Sequence, residues 1–280
     1  MKKLFFSTVL LLILLLAGCT NDKPSFDRRA VADLLQEELN AHPELTGATV
    51  AIMRVKDAAV ILQEGVARDS AGTFSALNPD SLLARQVPMS LSYPHVLMPL
   101  LDSGKIHLTD RLPANNGILP GLPQDDHAVG LKEVSIYHGL EISMRYVFYK
   151  LSQDYGVPPP ASIDMLTALQ LYNAIAARGI CRGERICTRE TADTLAHALW
   201  RINRFGTDES PDFSGKHGSQ LIEKDGKPVS TAAFAGFFPA ENPEFTMLVS
   251  LSSGNPYLMS GRLLPRQLFE KIMNLQAADE

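Results

Sequence analysis

The chain has 280 residues, of which 45% are hydrophobic and 20% are charged, and its formal net charge at pH 7 is −5. This size and composition fit one soluble domain, or at most two, with ample core. The mild acidity and the lack of a clustered basic patch argue against nucleic-acid binding. No cofactor is predicted, and no metal site, because the two neighbouring cysteines lack a histidine pair that would complete a zinc site.

The first residues have the organisation of an export signal. Lys2 and Lys3 precede an apolar run that is too short for a comfortable membrane span. The run Leu16-Ala17-Gly18-Cys19 resembles a bacterial lipobox, which implies cleavage before Cys19 and lipidation of that residue. An uncleaved anchor or an ordinary signal peptide is the alternative. We therefore predict a lipoprotein signal peptide at residues 1–18, a tether at 19–25 and one domain at 26–280.

The elements that follow alternate between helical and strand periodicity. Turn residues and Gly/Pro stops separate the helices from the strands along the chain. The residues from 67 to 85 are predicted as a loop. The predicted helices are 26–42, the helix after Ser90, 131–155, 164–179, 188–204 and 260–276; the predicted strands are 47–53, 58–63 and three strands between 213 and 253.

The stretch from Pro88 to Leu112 predicts a turn, a helix and a helix stop. Ser90 is placed to cap the helix, and Gly104 is placed for a left-handed C-cap. A serine at a helix start lies where amide dipoles converge, which suits a nucleophile because the helix end stabilises developing negative charge. On local grounds alone, the alternative is that Ser90 is an ordinary cap.

A resemblance gives Ser90 a more specific interpretation. The segment PMSLSYPHVLMPLLDSGKI resembles the active-serine segment of penicillin-binding protein transpeptidases, which runs P-G-S-T-F-K-P and continues as an apolar helix ending in L-E-S-G-K-I. Without a gap, Ser90 falls on the acylated serine. The lysine that the family has three residues later is Tyr93 here.

Two further motifs of that family have altered counterparts. Ser143-Met144-Arg145 falls on S-x-N, whose serine shuttles a proton and whose asparagine holds the substrate backbone, so Arg145 replaces the asparagine. Lys216-His217-Gly218 falls on K-T-G, and the hairpin after it, F-A-G-F-F-P-A-E-N-P, resembles the family's F-x-G-F-x-P-A-x-x-P.

The resemblance implies roles for the residues of the third motif. Lys216 supplies positive charge to a cleft, and Gly218 lets a bound peptide lie close to the strand. The amides of Ser219 and Ser90 would form an oxyanion hole. We accordingly assign Ser90, Ser143 and Lys216 to the catalytic positions. The substrate-binding positions are Tyr93, Arg145, His217, Gly218 and Ser219.

The implied fold class is α/β (α+β), β-lactamase/transpeptidase-like: an antiparallel sheet flanked by helices, with a helical subdomain and a cleft between them. The implied ligands are peptidoglycan stem peptides or β-lactams, and the implied surroundings are the bacterial cell envelope. Envelope proteins are further candidate partners, and lipidated Cys19 would attach the chain to a membrane facing the periplasm or exterior.

The chemistry is harder to assign than the fold. A serine needs a base, and a phenol of pKa ~10 at Tyr93 would need a drop of roughly three units to serve at neutral pH. His95 and His138 are substitute bases to consider. Three hypotheses follow: a catalytically degenerate domain with a binding or scaffold role, an active serine acyl-enzyme with a remodelled base, or an unrelated structural lipoprotein.

Cys181 and Cys187 are close in sequence, in the run CRGERIC. Outside the cytoplasm such a pair can form a disulfide across a hairpin loop. The sequence does not show whether the two sulfurs face each other, so a disulfide and two free thiols both remain open.

Overall fold

The computed structural model describes residues 26–119, 128–160, 162–204, 210–224, 227–255 and 264–277. The predicted signal peptide, the tether and Cys19 lie outside these residues, and so does Asp225-Gly226, a pair that predicts the turn between two of the three strands expected at 213–253. Within the described ranges, no helix has both the length and the apolar character needed to cross a membrane.

The centre of the molecule is one antiparallel sheet of six strands. Val50, for example, lies opposite both Glu64 and Val249. The sheet strands are β1 (Leu45–Arg54), β2 (Val60–Arg68), β3 (Phe74–Ala76), β8 (Ser214–Lys224), β9 (Lys227–Phe238) and β10 (Phe245–Ser253). Their order across the sheet is β3-β2-β1-β10-β9-β8. The remaining short strands are β4 (Arg111–Pro113), β5 (Glu133–Ser135), β6 (Ile180–Cys181) and β7 (Glu184–Arg185).

Helices cover both faces of this sheet. They are α1 (Arg28–Ala41), α2 (Pro79–Leu82), α3 (Tyr93–Asp102), α4 (Ile136–Glu141), α5 (Arg145–Tyr155), α6 (Met165–Ala176), α7 (Arg189–Arg204) and α8 (Leu264–Ala277). Helices α1 and α8 pack on one face through a core that includes Leu35, Phe234 and Phe269. Helices α3 to α7 build the core of the other face, where Ala233, Ala235 and Leu248 point.

The predicted helix starts agree with the structure where a side chain caps them. Asp27 accepts a hydrogen bond from the amide of Arg29 at the start of α1, and Asp164 accepts one from Thr167 at the start of α6. Each carboxylate satisfies an amide that the helix itself leaves without an acceptor. Gly156 adopts the left-handed conformation after α5, as its sequence position predicts.

Two predictions of secondary structure are wrong. The helix predicted over 131–155 is instead β5, α4 and α5, with a break between Glu141 and Arg145. The loop predicted over 67–85 contains the end of β2, β3 and α2. Trp200 of α7 is half-buried, and its indole N–H donates a hydrogen bond to the carbonyl of Pro211.

Candidate active site

Ser90 lies in a 3₁₀ turn, Met89–Ser92, that leads directly into α3. It is therefore not the cap of α3, contrary to the prediction, since the helix proper begins three residues later and no side chain caps it. Ser90 is only 8% exposed. The turn is fixed against β8, where the side-chain oxygen of Gln220 accepts a hydrogen bond of 3.1 Å from the amide of Met89.

The hydroxyl of Ser90 points at the backbone of Gly218. A Cβ atom at Gly218 would collide with Ser90 Oγ and would lie 2.9 Å from the Cβ of Pro88. Within the described part of the chain, this buried Oγ has no hydrogen-bond partner. A buried hydroxyl left without a partner costs about 1–3 kcal/mol, so this arrangement is not explained by stability alone.

Lys216 is the second component of the site and is completely buried, at 0% exposure. Its ammonium group donates to Ser143 Oγ at 2.7 Å and to the carbonyl of Leu140 at 2.5 Å. Strand alternation puts Lys216, Gly218 and Gln220 on one face of β8. The residue at the lysine of K-T-G and the residue at the serine of S-x-N are therefore in direct contact, on the face that also contacts Ser90.

Ser143 occupies an unusual backbone conformation. It follows α4 with φ of +59°, a region that favours glycine. The amides of Ser143 and Met144 return to the carbonyls of Leu140 and Gly139, which closes α4 as a Schellman motif with serine in the usual glycine position. This closure directs both the hydroxyl of Ser143 and the carbonyl of Leu140 at Lys216.

Tyr93 fills the space between these two parts of the site. Its ring stacks on Phe148 with centroids 3.7 Å apart and an interplanar angle of 11°. Its hydroxyl lies 3.5 Å from the carbonyl of Ser143, and the ammonium of Lys216 lies 5.9 Å from the centre of its ring. An aromatic ring thus stands where the resembled family has a lysine.

The remaining predicted substrate-binding residues lie around this centre rather than in it. Arg145 is exposed at the first position of α5. His217 lies opposite Phe234 of the α1/α8 core, so strand alternation directs its side chain to the face away from Ser90. The side chain of Ser219 is exposed on the same strand, one residue beyond Gly218.

Neither substitute base reaches Ser90. His138 is paired with Glu141 through its Nδ1 atom at 2.7 Å. His95 is exposed on α3 and lines a cavity of about 490 Å³ with Thr167 and Glu184. Since Ser90 Oγ has no hydrogen-bond partner in the described ranges, neither imidazole contacts it.

Cys181 and Cys187 are both buried and are free thiols in this structure, which is one of the two alternatives that the sequence leaves open. Cys181 ends β6, where it lies opposite Glu184 across a tight turn, and Cys187 follows the hairpin. Burial raises the pKa of both thiols, and that of Cys187 reaches about 11.

Sequence reasoning missed three participants in the site. Gln220 could have been found, because it falls on the same strand face as Lys216 and Gly218. The ring of Phe148 and the carbonyl of Leu140 gave no signal, since both depend on the break between α4 and α5.

The six-stranded antiparallel sheet and the helices on both of its faces define one class of fold: this chain has the fold of the penicillin-binding transpeptidases. Two solved structures illustrate the similarity. A peptidoglycan synthetase from Bifidobacterium adolescentis ATCC 15703 matches with a TM-score of 0.64 and 12% identity over 88% of this chain. Penicillin-binding protein 2B from Streptococcus pneumoniae (strain R6) matches with a TM-score of 0.65 and 12% identity over 89%.

These matches cover 59% and 57% of the two solved chains, so the present chain spans somewhat more than half of their length. No protein-family model matches the sequence, and no curated protein matches it. The similarity therefore resides in the fold rather than in overall sequence.

Proposed function

We propose that this chain is a cell-envelope lipoprotein, anchored through Cys19, in which a transpeptidase fold binds cell-wall peptide but has lost acyl transfer. Its role would be binding or scaffolding in peptidoglycan biogenesis. The observation that carries this proposal is the state of Ser90 Oγ, which is buried and has no hydrogen-bond partner in the part of the chain that the structure describes. The names of the two structural neighbours support the cell-wall setting.

Acyl transfer by Ser90 requires a group that takes the proton of its hydroxyl. A general base must lie within about 2.6–3.2 Å of the group it deprotonates, or reach it through one water. The position of the family lysine holds the ring of Tyr93, which is stacked on Phe148. The loss of such a base typically lowers a rate by ~10²–10⁴.

Strand β8 provides a surface on which peptide binding could be retained without acyl transfer. It is an edge strand of the described sheet, so no other strand pairs with its outer backbone groups, and an extended peptide would bind along them in the manner of an added strand. Gly218 has no side chain to keep such a peptide away from the backbone, and Ser219 beside it is exposed. Peptide hydrogen bonds to this edge would need no nucleophile.

The alternative function is an active serine D,D-transpeptidase, D,D-carboxypeptidase or penicillin-binding acyl-enzyme. A specific observation favours it: Lys216 donates to Ser143 Oγ at 2.7 Å, as a proton-relay pair would. This alternative requires the turn around Ser90 to open, so that the hydroxyl can reach that pair and a substrate.

Fluorescent penicillin separates the two functions. On the proposed account, the wild-type chain gives no covalent band in a denaturing gel, whereas an active penicillin-binding protein run alongside does. A wild-type band that disappears in Ser90→Ala would establish the alternative. A band that survives in Ser90→Ala would show labelling elsewhere and would leave Ser90 without a catalytic role.

Binding is tested separately with a fluorescent stem peptide ending in D-Ala-D-Ala. Ser219→Pro removes the backbone amide at the proposed binding edge, and Ser219→Ala retains it, so the pair differs in the feature under test. We expect saturable anisotropy for wild type and Ser219→Ala and a loss of at least about tenfold in affinity for Ser219→Pro. Circular dichroism must show that Ser219→Pro is folded. Equal binding by all three chains would contradict the proposed edge.

A further inference from the structure

A polar cavity lies on the same face of the sheet as Ser90, but Ser90 is not among the residues that line the cavity. It has a volume of about 540 Å³, within the range of small-molecule sites. Its walls contain two arginines, Arg68 and Arg85, and no lining residue is acidic. Five hydroxyl side chains from β1, β9 and β10 also line it: Thr46, Thr49, Thr231, Ser250 and Ser252.

The two arginines of this cavity are in opposite situations. Arg68 is committed to the protein, because its guanidinium donates to the carbonyls of Leu39, His42, Pro43 and Leu45. Arg85 is half-buried between α2 and the Ser90 turn, and no side chain or carbonyl among the described residues pairs with its guanidinium. Burial lowers the pKa of the Arg85 guanidinium from its usual value. A desolvated cation with no partner is unfavourable unless an anion joins it.

The hydroxyl groups of the cavity also differ in whether the protein itself provides their hydrogen-bond partners. Those of Thr46 and Thr49 donate to the carbonyls of Ser252 and Ser250 at 3.3 Å. The hydroxyls of Thr231 and Ser250 have no hydrogen-bond partner in the described ranges, although both residues are buried, at 6% and 9% exposure. The cavity therefore offers one guanidinium and two hydroxyls as donors that the protein does not use.

Strand register explains why these groups share one cavity. Thr49 lies opposite Ser250, and Ser252 lies opposite Thr231, so all four side chains point to the same face. On the next strand, Gln220 lies opposite Thr231 and accepts a hydrogen bond from Met89. Gln220 therefore links the cavity to the turn that carries Ser90, because it lies beside Thr231 and is bonded to Met89.

We propose that this cavity is a binding site for a small molecule bearing an oxyanion, a carboxylate or a phosphate group, which Arg85 binds and which Thr231 and Ser250 help to hold. The guanidinium fork matches either oxyanion with two parallel hydrogen bonds. Leu77, Val87 and Met165 supply apolar wall for the rest of the ligand. The cavity volume suits a metabolite-sized compound rather than a polymer.

The test is thermal unfolding of the purified full-length chain in sodium chloride, sodium phosphate and sodium succinate at matched ionic strength. The chains are wild type, Arg85→Gln, Thr231→Val and, as a control, Arg111→Gln, whose arginine makes an exposed pair with Glu133. Phosphate raises the melting temperature of many proteins nonspecifically, so the relevant quantity is the difference between variants.

We expect phosphate or succinate to raise the melting temperature of wild type and Arg111→Gln by at least about 5 °C at 100 times the Kd. The same anion should raise that of Arg85→Gln and Thr231→Val by less than half as much. The anion with the larger difference identifies the oxyanion as phosphate-like or carboxylate-like. Equal shifts in all four chains, or no shift beyond sodium chloride, would overturn the proposal.

A second measurement does not depend on the stability of the variants. The ³¹P linewidth of inorganic phosphate should increase with the wild-type chain and narrow again when succinate is added. If Arg85→Gln does not fold, Thr231→Val and Ser250→Ala carry the same comparison. Broadening that survives in Thr231→Val and Ser250→Ala, with no displacement by succinate, would place the phosphate elsewhere and refute the site.

Discussion

Lys216 on β8 donates a hydrogen bond of 2.7 Å to Ser143 Oγ, although the two residues are 73 positions apart in the chain. The contact joins the sheet to the break between α4 and α5. Because Lys216 is fully buried, the polar atoms that receive its ammonium group are part of what makes its burial tolerable. The pair is therefore a structural element of the domain, whether or not it moves protons.

The backbone at Ser143 gives a first prediction. Ser143→Ala removes the hydroxyl and keeps a side chain at φ of +59°, so we expect a loss of about 1.5–3 kcal/mol in the free energy of unfolding. Ser143→Gly removes the same hydrogen bond but relieves about 1 kcal/mol of backbone strain. Urea unfolding should therefore find Ser143→Gly the more stable variant. Finding Ser143→Ala as stable as Ser143→Gly, or more so, would contradict this reading of the turn.

The contact between Gly218 and Ser90 gives a second prediction. Gly218→Ala would place a methyl group against Ser90 Oγ and the ring of Pro88, and overpacking of this kind costs about 1–3 kcal/mol. Gly254→Ala is the matched control, since nothing lies within 4 Å of its Cβ position.

The same contact predicts a coupling. Ser90→Ala removes the hydroxyl that the new methyl group of Gly218→Ala would meet. The destabilisation caused by Gly218→Ala should therefore be smaller in the Ser90→Ala chain than in wild type, by at least about 0.5 kcal/mol in the free energy of unfolding. Strictly additive effects in the double variant would mean that Ser90 and Gly218 are not packed as described.

Tyr93 gives a third prediction, which concerns the missing lysine. Tyr93→Lys introduces the lysine that the resembled family has at this position, but it removes the stack on Phe148 and brings a second ammonium group toward Lys216. We expect a destabilisation of at least about 3 kcal/mol and no gain of penicillin labelling. Thermal unfolding and the fluorescent gel measure both. A stable, labelled Tyr93→Lys chain would show that one substitution separates this protein from an enzyme.

The buried thiol of Cys187 gives a fourth prediction. Burial, together with the nearby negative charge of Asp102, raises the pKa of Cys187 to about 11. At pH 8 about one thiol in a thousand is ionised at that pKa, against roughly a quarter for an ordinary cysteine. The smaller thiolate fraction should therefore make native Cys187 react with iodoacetamide about 250-fold more slowly than in the unfolded chain. Peptide mass spectrometry measures this, and a cross-linked peptide of Cys181 and Cys187 would contradict the free-thiol state.

The raised pKa of Cys187 also determines how this residue's contribution to stability changes with pH. The folded state holds the thiol proton more tightly than the unfolded chain, so the contribution of Cys187 is complete below the unfolded pKa of about 8.5. It is lost as the pH rises toward the folded value of about 11. Cys187→Ala should therefore lose less stability than wild type between pH 8.5 and 11 in urea unfolding.

The sequence predicted most of the fold because local and tertiary preferences agree there. Strands β9 and β10 are largely apolar and are separated by the turn residues Glu241, Asn242 and Pro243, and α6 begins at a capping Asp164 and presents an apolar face. The antiparallel sheet with flanking helices is confirmed, as is its likeness to the transpeptidase fold.

The candidate site was less predictable for a physical reason. The break at Ser143 contains no glycine or proline, so helical periodicity continues through it in the sequence. Its left-handed residue is held by contacts with Lys216 that only the fold brings about. Ser90 was predicted as a helix cap because a 3₁₀ turn and a cap look alike in sequence, and only the packing of the turn against β8 distinguishes them.

The central claim is that Ser90 is held in a transpeptidase fold without a base to activate it. Intact-mass spectrometry of the wild-type chain during prolonged incubation with excess benzylpenicillin tests this most directly. The account predicts that the protein mass stays unchanged, with acylation at least about 10² slower than for an active penicillin-binding protein measured in parallel. A stoichiometric penicilloyl adduct that maps to Ser90, and is absent in Ser90→Ala, would contradict it.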